Sequence, residues 1–284
     1  MFDIILENAT GNRLDFGMDS PFTISNIEGL NPPKATINTN VSALMDGAVF
    51  NSSKLEMRTI NIAFAIEYQA AKNRIEVYKV LKSKQYIKLY YNGKYRKVFI
   101  EGWISNINIT YFEMKQVVTC TIICPAPYFK QAQEIVNELS SIINMFHFPF
   151  HSTASPQVVF GKIGNEDGVT IENDGDVDCG MIIELYARDQ VSDPKVFNYL
   201  TGDYFGIKVD MQLGDLITVD TRQGQKSVTL LRSGVKTNLF NYIMEGSEWL
   251  QLPANGAAFV YEVGTGNDVN LSVTFRHNNL YEGV

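Results

Sequence analysis

Asp174, Asp176 and Asp178 stand at alternate positions in the stretch ENDGDVDCG, residues 172–180. Carboxylates spaced by two are how a calcium loop of the EF-hand type begins, because alternate side chains converge on one cation. Counted from Asp174, such a loop needs Gly at its sixth position and Glu at its twelfth. Cys179 and Leu185 occupy those places, with Gly180 and Glu184 each displaced, in opposite directions. Asn, Asp and Gly are also what a tight link between strands requires, since they tolerate left-handed backbone angles. The stretch is read as an inter-strand turn, not a metal site.

Cys120 and Cys124 form a C-x-x-x-C pair. Four residues along a strand span about 13 Å, too far for two thiolates to share one zinc. With Val118 and Ile122 they make one apolar face, so they are read as core cysteines. His147 and His151 have helical ligand spacing, but Pro149 lies between them and breaks the helix that would bring them together. His277 stands in a strand near the end of the chain. All three histidines are expected at the surface or in hairpins. There is no G-x-S-x-G elbow and no G-x-x-x-x-G-K-[ST] phosphate loop. The VGTGND stretch has two glycines of a dinucleotide fingerprint but is followed by a strand. The 31 acidic residues offer many pairs for glycoside hydrolysis, and sequence fixes no separation between them. No catalytic, cofactor-binding or metal-binding residue is assigned, and the protein is expected not to be an enzyme. Trp103 and Trp249 have the chemistry of sugar-stacking platforms, but packing is the commoner role at such positions.

The elements that would position these residues fall into two halves. LEMRTINIAFAI alternates so that Ile60, Ile62, Phe64 and Ile66 share a face, which predicts a half-buried strand. Ala71, Ile75, Tyr78 and Leu81 then recur at helical spacing and predict a short amphipathic helix with those residues inward. YIKLYYNGKYRKVFIEG predicts a hairpin turning on Asn92-Gly93, the pair favoured in a two-residue type I′ turn, its charges solvated. WISNINITYF and KQVVTCTIIC continue the meander, and Pro125 and Pro127 end it. Residues 130–145 fit either a helix or an extended connector. From there the chain reads as short strands separated by Gly, Asp and Asn clusters, the pattern of a β-sandwich.

At 284 residues with 45% hydrophobic and 19% charged side chains, the chain has room for two globular domains. A net charge of −7 disfavours nucleic-acid binding, which needs a basic surface. No run is long and apolar enough for a membrane-spanning helix. The opening MFDIILEN lacks a basic region, so no secretory signal is expected, and three cysteines suggest a reducing compartment.

The ordered segments IEGLNPPKATIN, RTINIAFAIEY, NRIEVYKVL, YIKLYYNGKYRKVFIEGWI and VVTCTIICPAPYF resemble the distal tail protein family of bacteriophages infecting Gram-positive bacteria and of related prophage elements. In the second half VTIENDGDVDCGMIIELY, LGDLITVDT and SEWLQLPANGAAFVYEV are similar to the sandwich domain attached in that family. LPANGAAF departs from it, because Pro and Gly are separated where the family often has Pro-Gly-x-Asn. The resemblance implies a mainly β protein. Residues 1–130 would form a ring-forming, tail-tube-like α+β domain with one helix, and residues 131–284 a connector and a galectin-like or carbohydrate-binding-module-like sandwich. It further implies a homo-hexameric ring in the virion tail, assembled in the host cytoplasm. That ring would join the tail tube protein to a tail hub or tail-associated lysin and to receptor-binding or baseplate proteins. DNA would pass through its channel without specific binding, for which an acidic lining is suited. The alternative from another class is a carbohydrate-binding module contacting host cell-wall glycans through the sandwich, with Trp249 as its test residue.

Overall fold

The computed structural model describes residues 3–41, 46–111, 115–139, 141–143, 162–164 and 168–284. The chain is mainly β and divides into two units, Met1–Ala132 with Leu280–Val284, and Gln133–Asn279. The first unit is thus left by the chain and re-entered at its end.

Unit 1 contains β1 (Asp3–Asn8), β2 (Arg13–Asp15), β3 (Phe22–Glu28), β4 (Ala35–Asn40), β5 (Val49–Leu55), β6 (Arg58–Ile66), α1 (Ala70–Val80), β7 (Tyr86–Asn92), β8 (Lys97–Ile109), β9 (Gln116–Cys124) and β10 (Phe129–Gln131). Its main sheet runs β2-β1-β7-β8-β9-β6-β3, every neighbouring pair antiparallel. Alternation sets the register: Ile60 faces Ile122, Ile62 faces Cys120 and Phe64 faces Val118 across β6 and β9. All six are buried, so a slip by one residue would expose the whole row. Gly102 in β8 lies against β9, where an added Cβ would sit 2.7 Å from both the Ile122 methyl and the Ile123 carbonyl oxygen.

Two elements differ from the sequence reading. The helix is present, but its buried face is Asn73, Val77 and Val80, while Ala71, Ile75 and Tyr78 are exposed and only Leu81, just past its end, is buried with the core. The buried stripe lies two positions on from the expected one, about 200° around the helix. An asparagine begins it, and that asparagine is satisfied by donating to the Tyr68 carbonyl at 2.6 Å, so polarity hid the inward face from a count of apolar residues.

The β7–β8 hairpin pairs Asn92 with Lys97, which leaves residues 93–96 as the loop. Asn92-Gly93 is therefore not a two-residue I′ turn, and neither residue has positive φ. The tighter turn would place Arg96 opposite Leu89 on the core face, whereas the longer loop puts Ile100 there. Arg96 instead lies over the Tyr281 ring, 4.4 Å from its centroid, and donates to the Gly283 carbonyl at 2.6 Å.

The chain end is held to unit 1 by a buried cation. The final strand Leu280–Tyr281 pairs with β10, and β10 pairs with β8. Beneath them Arg58, 2% exposed, donates to the carbonyls of Gly29, Asn31, Pro127 and Glu282 at 2.5–2.7 Å. Its guanidinium also lies 4.6 Å from the centroid of the Phe129 ring. Burial pulls its pKa below the ordinary arginine value, opposed by Cys124 and Glu282.

Unit 2 is built from antiparallel sheets. The larger contains Ile135–Leu139, Leu271–His277, Ile182–Ala187, Leu216–Asp220, Ser227–Arg232 and Val235–Asn238 in that spatial order. A second contains Val169–Ile171, Ala257–Glu262, Lys195–Asn198 and Tyr204–Gly206. Phe259 of the second and Phe275 of the first, both fully buried, meet with ring centroids 5.1 Å apart. Of the ambiguous stretch 130–145, the described part is extended: Phe129–Gln131, Ile135–Leu139 and Ser141–Ile143 are strands.

Candidate assembly surfaces

The acidic run lies between the strands Val169–Ile171 and Cys179–Gly180. Buried Asn173 organises it, donating to the carbonyls of Val177, Leu252 and Pro253 and accepting from the Gly175 amide at 2.9 Å. Asp178 accepts from the Ala254 amide at 3.0 Å, so its carboxylate ties two loops together. Among the described residues no three His, Cys, Asp or Glu side chains come together as a metal cluster would require.

Cys120, Cys124 and Cys179 are free and buried, and burial pushes each thiol up to about 12. His147 and His151 lie outside the described residues. His277, expected near the surface, is 1% exposed because it falls on the inward face of Leu271–His277, in step with Val273 and Phe275. Burial holds its pKa below the ordinary histidine value, against Glu172, Asn279 and Glu134 nearby.

Trp103 is 47% exposed, edge-on to Tyr86 at 5.8 Å between centroids. Trp249 is half-buried, packed against Phe205 at 5.0 Å and Phe240 at 6.0 Å, with the Lys226 ammonium 5.3 Å from its ring centroid. Phe240, and Tyr242 two residues further along the chain, are both 52% exposed.

Two unpartnered surfaces lie in unit 1, and the sequence reading missed the first of them. β4 and β5 form a two-stranded sheet of their own. Their pairing shifts between Asn38 and Thr39, so that Asn38 faces Ser52 but Thr39 faces Phe50. This bulge brings Phe50 onto the face already carrying Ala35, Ile37 and Leu55. The opposite face carries Thr36, Asn38, Asn40, Ser52 and Lys54 with Val49 as its one apolar residue, and Asn38 and Ser52 are hydrogen-bonded at 3.0 Å. The hairpin is therefore amphipathic, yet Ile37 is 63% and Phe50 62% exposed. An isolated two-stranded hairpin is at best marginal in water, so an apolar face with no core beneath it is a surface awaiting a partner.

The second surface is the outward face of α1. Ile75 is 56% exposed, and Tyr78 shares a 2.7 Å hydroxyl–hydroxyl hydrogen bond with Tyr111. Arg74 lies over the Tyr111 ring at 5.2 Å and donates to Gln116 at 3.3 Å, which holds that tyrosine against the helix.

Comparison with known proteins places this architecture. Residues 10–124 match the family described as phage tail protein RIFT-related domain. The matched stretch lies within unit 1. No curated protein matches the chain. Among solved structures, the fold is similar to SPP1 Dit (gp 19.1), described as a paradigm of hub adsorption apparatus in phages infecting Gram-positive bacteria. The TM-score is 0.69 at 11% identity, over 97% of this chain and 98% of that one. It is also similar to chains of the phage P2 baseplate in its activated conformation with Ca (TM-score 0.57) and with Sr (TM-score 0.53). Both are 12% identical and covered in full, as is this chain. The RIFT-related match ends at Cys124, where β9 ends, while the fold likeness continues through unit 2.

Proposed function

We propose that the protein is a structural component of a phage tail, a homo-hexameric distal ring joining the tail tube to a hub or baseplate. The observation carrying this reading is the likeness along almost the whole chain to a hub protein, coupled to a tail-type domain in unit 1. The apolar hairpin and the outer face of α1 give that domain surfaces for self-association. Such surfaces differ from each other, so copies would join head to tail and close into a ring after a fixed rotation. In this reading residues 1–130 are ring-forming and the sandwich projects towards receptor-binding or baseplate proteins. The test is native mass across a concentration series with negative-stain images of the largest species. Six-subunit rings with an open centre are expected. A strict monomer, both alone and with assembled tail tube, would refute the reading.

A second reading, glycan binding by the sandwich, draws on the exposed Phe240 beside Trp249, a surface on which a pyranose face could stack. Glycan-array binding lost in both Phe240→Ala and Trp249→Ala would support it, and no binding by the wild type would remove it.

A further inference from the structure

We infer that the apolar face of the β4–β5 hairpin of one copy seats on the outer face of α1 of the next, with Phe50 and Ile37 against Ile75, Tyr78 and Tyr111. This inference rests on the self-assembly reading above and specifies its interface.

The hairpin carries two independent marks of a buried face. Ala35, Ile37, Phe50 and Leu55 share one side with Thr39 and Ser53, while the other side is polar but for Val49, and a bulge restores Phe50 to the first side where uninterrupted pairing would have placed Asn51 opposite Thr39. Helix α1 likewise has two apolar stripes. Val77 and Val80 serve the core of unit 1, while Ala71, Ile75 and Tyr78, at steps of four and three, face solvent. A helix with an apolar stripe on each side is suited to lie between two bodies.

The occupant follows from geometry and size. The hairpin joins β6 at Arg58, and α1 follows its far end at Ile66, so a strand of about 27 Å separates their roots. Hairpin and helix face differ in shape and chemistry, one a flat aliphatic and phenyl surface and the other a ridge of tyrosines. Contact between copies is therefore heterologous, which propagates around a ring rather than ending at a pair. Phe50, Tyr78 and Tyr111, each roughly half exposed, offer about 300 Å² of aromatic surface. A stable interface buries about 1,200 Å² or more, so these rings have the size of its central anchor, with the polar hairpin side chains at the rim.

The test uses the full chain. Phe50→Cys and Ile75→Cys are made in separate chains, which is clean because Cys120, Cys124 and Cys179 are buried. Mixed and oxidised, they should form a disulfide dimer, while neither variant alone does so. Phe50→Asp and Ile75→Asp, at exposed sites where the fold tolerates them, should each raise the dissociation constant at least tenfold. Mixing those two should give a dimer that grows no further, since one hairpin and one helix face remain competent. Cross-linking of Phe50→Cys to itself would overturn the pairing in favour of hairpin on hairpin. Wild-type oligomers unaffected by either Asp substitution would overturn the choice of surfaces and leave the ring standing. A wild type that stays monomeric both alone and with assembled tail tube, with no cross-link in either case, would overturn the ring as well.

Discussion

Replacing Arg58 by Leu removes every hydrogen bond that the buried guanidinium makes to the loops around residues 29–31 and 127 and to the chain end. The side chain is 2% exposed and bonded to four carbonyl oxygens, with no carboxylate among them. A hydrogen bond from a charged donor contributes about 1.5–3 kcal/mol, and removing one partner also leaves its acceptor unpaired in the interior. Contact with Phe129 adds about 1 kcal/mol. Against these stand the lost desolvation cost of the charge and the rewetting of carbonyls near the surface. Each buried carbonyl left unpaired costs about 1–3 kcal/mol, so with part of that recovered by rewetting the expected net loss is about 3–5 kcal/mol. The chain has two tryptophans, Trp103 in unit 1 and Trp249 in unit 2, so Trp249→Phe leaves a fluorescence reporter for unit 1 alone. In that background urea unfolding of Arg58→Leu should shift to lower midpoint with an unchanged slope. Arg58→Lys should recover less than half of the loss, because an ammonium cannot reproduce the planar fork that reaches all four oxygens. A loss below about 1 kcal/mol, or a lysine as good as the arginine, would refute this account of the clamp.

Gly102→Ala should destabilise unit 1 by about 1–3 kcal/mol, the cost of forcing a methyl against Ile122 and the Ile123 carbonyl, and the same unfolding assay reads it. Unit 2 should lose stability on acidification through His277, whose folded pKa lies below its unfolded one. The unfolded state binds the proton first, so the histidine's contribution is complete above about pH 6.5 and lost as pH falls below it. His277→Phe should flatten that slope in a pH series followed by Trp249 fluorescence. Thiol reagents at pH 8 should leave the native protein unlabelled and modify Cys120, Cys124 and Cys179 only on unfolding, because burial raises each thiol to about 12. Labelling of the folded protein, counted by mass spectrometry, would contradict the burial.

What the sequence revealed depended on how many neighbours each feature involves. β6 and β9 were legible because a strand covered on one face writes a period of two into its own residues. The helix was legible as a helix, but its inward face was not. Two apolar stripes compete on α1, and the core stripe opens on Asn73, whose hydrogen bond to Tyr68 exists only in the folded chain. Asn92-Gly93 pointed to a tight turn by local preference, and the register of Leu89 with Ile100 overrode it. His277 could not be placed without knowing which face of its strand met Phe259. The amphipathic hairpin was missed for a related reason: its alternation is broken by a bulge, so Phe50 falls out of phase with Leu55 of its own strand when counted along the chain. Nothing in LYEGV announces that the chain end returns to unit 1, since the signal is a backbone carbonyl, which every residue has.

The return of Leu280–Val284 to unit 1 makes unit 2 an insertion carried on two covalent crossings, near residues 132 and 279. A protease that cuts one crossing nicks the protein without releasing unit 2, because the other still joins it to the strand pair formed by Phe129–Gln131 and Leu280–Tyr281. Loss of the inserted domain then requires two independent cleavages in the same molecule. At low exposure its frequency grows as the square of the cleavage probability instead of in proportion to it. Under limited proteolysis such a domain would be shed far more slowly than one tethered by a single linker.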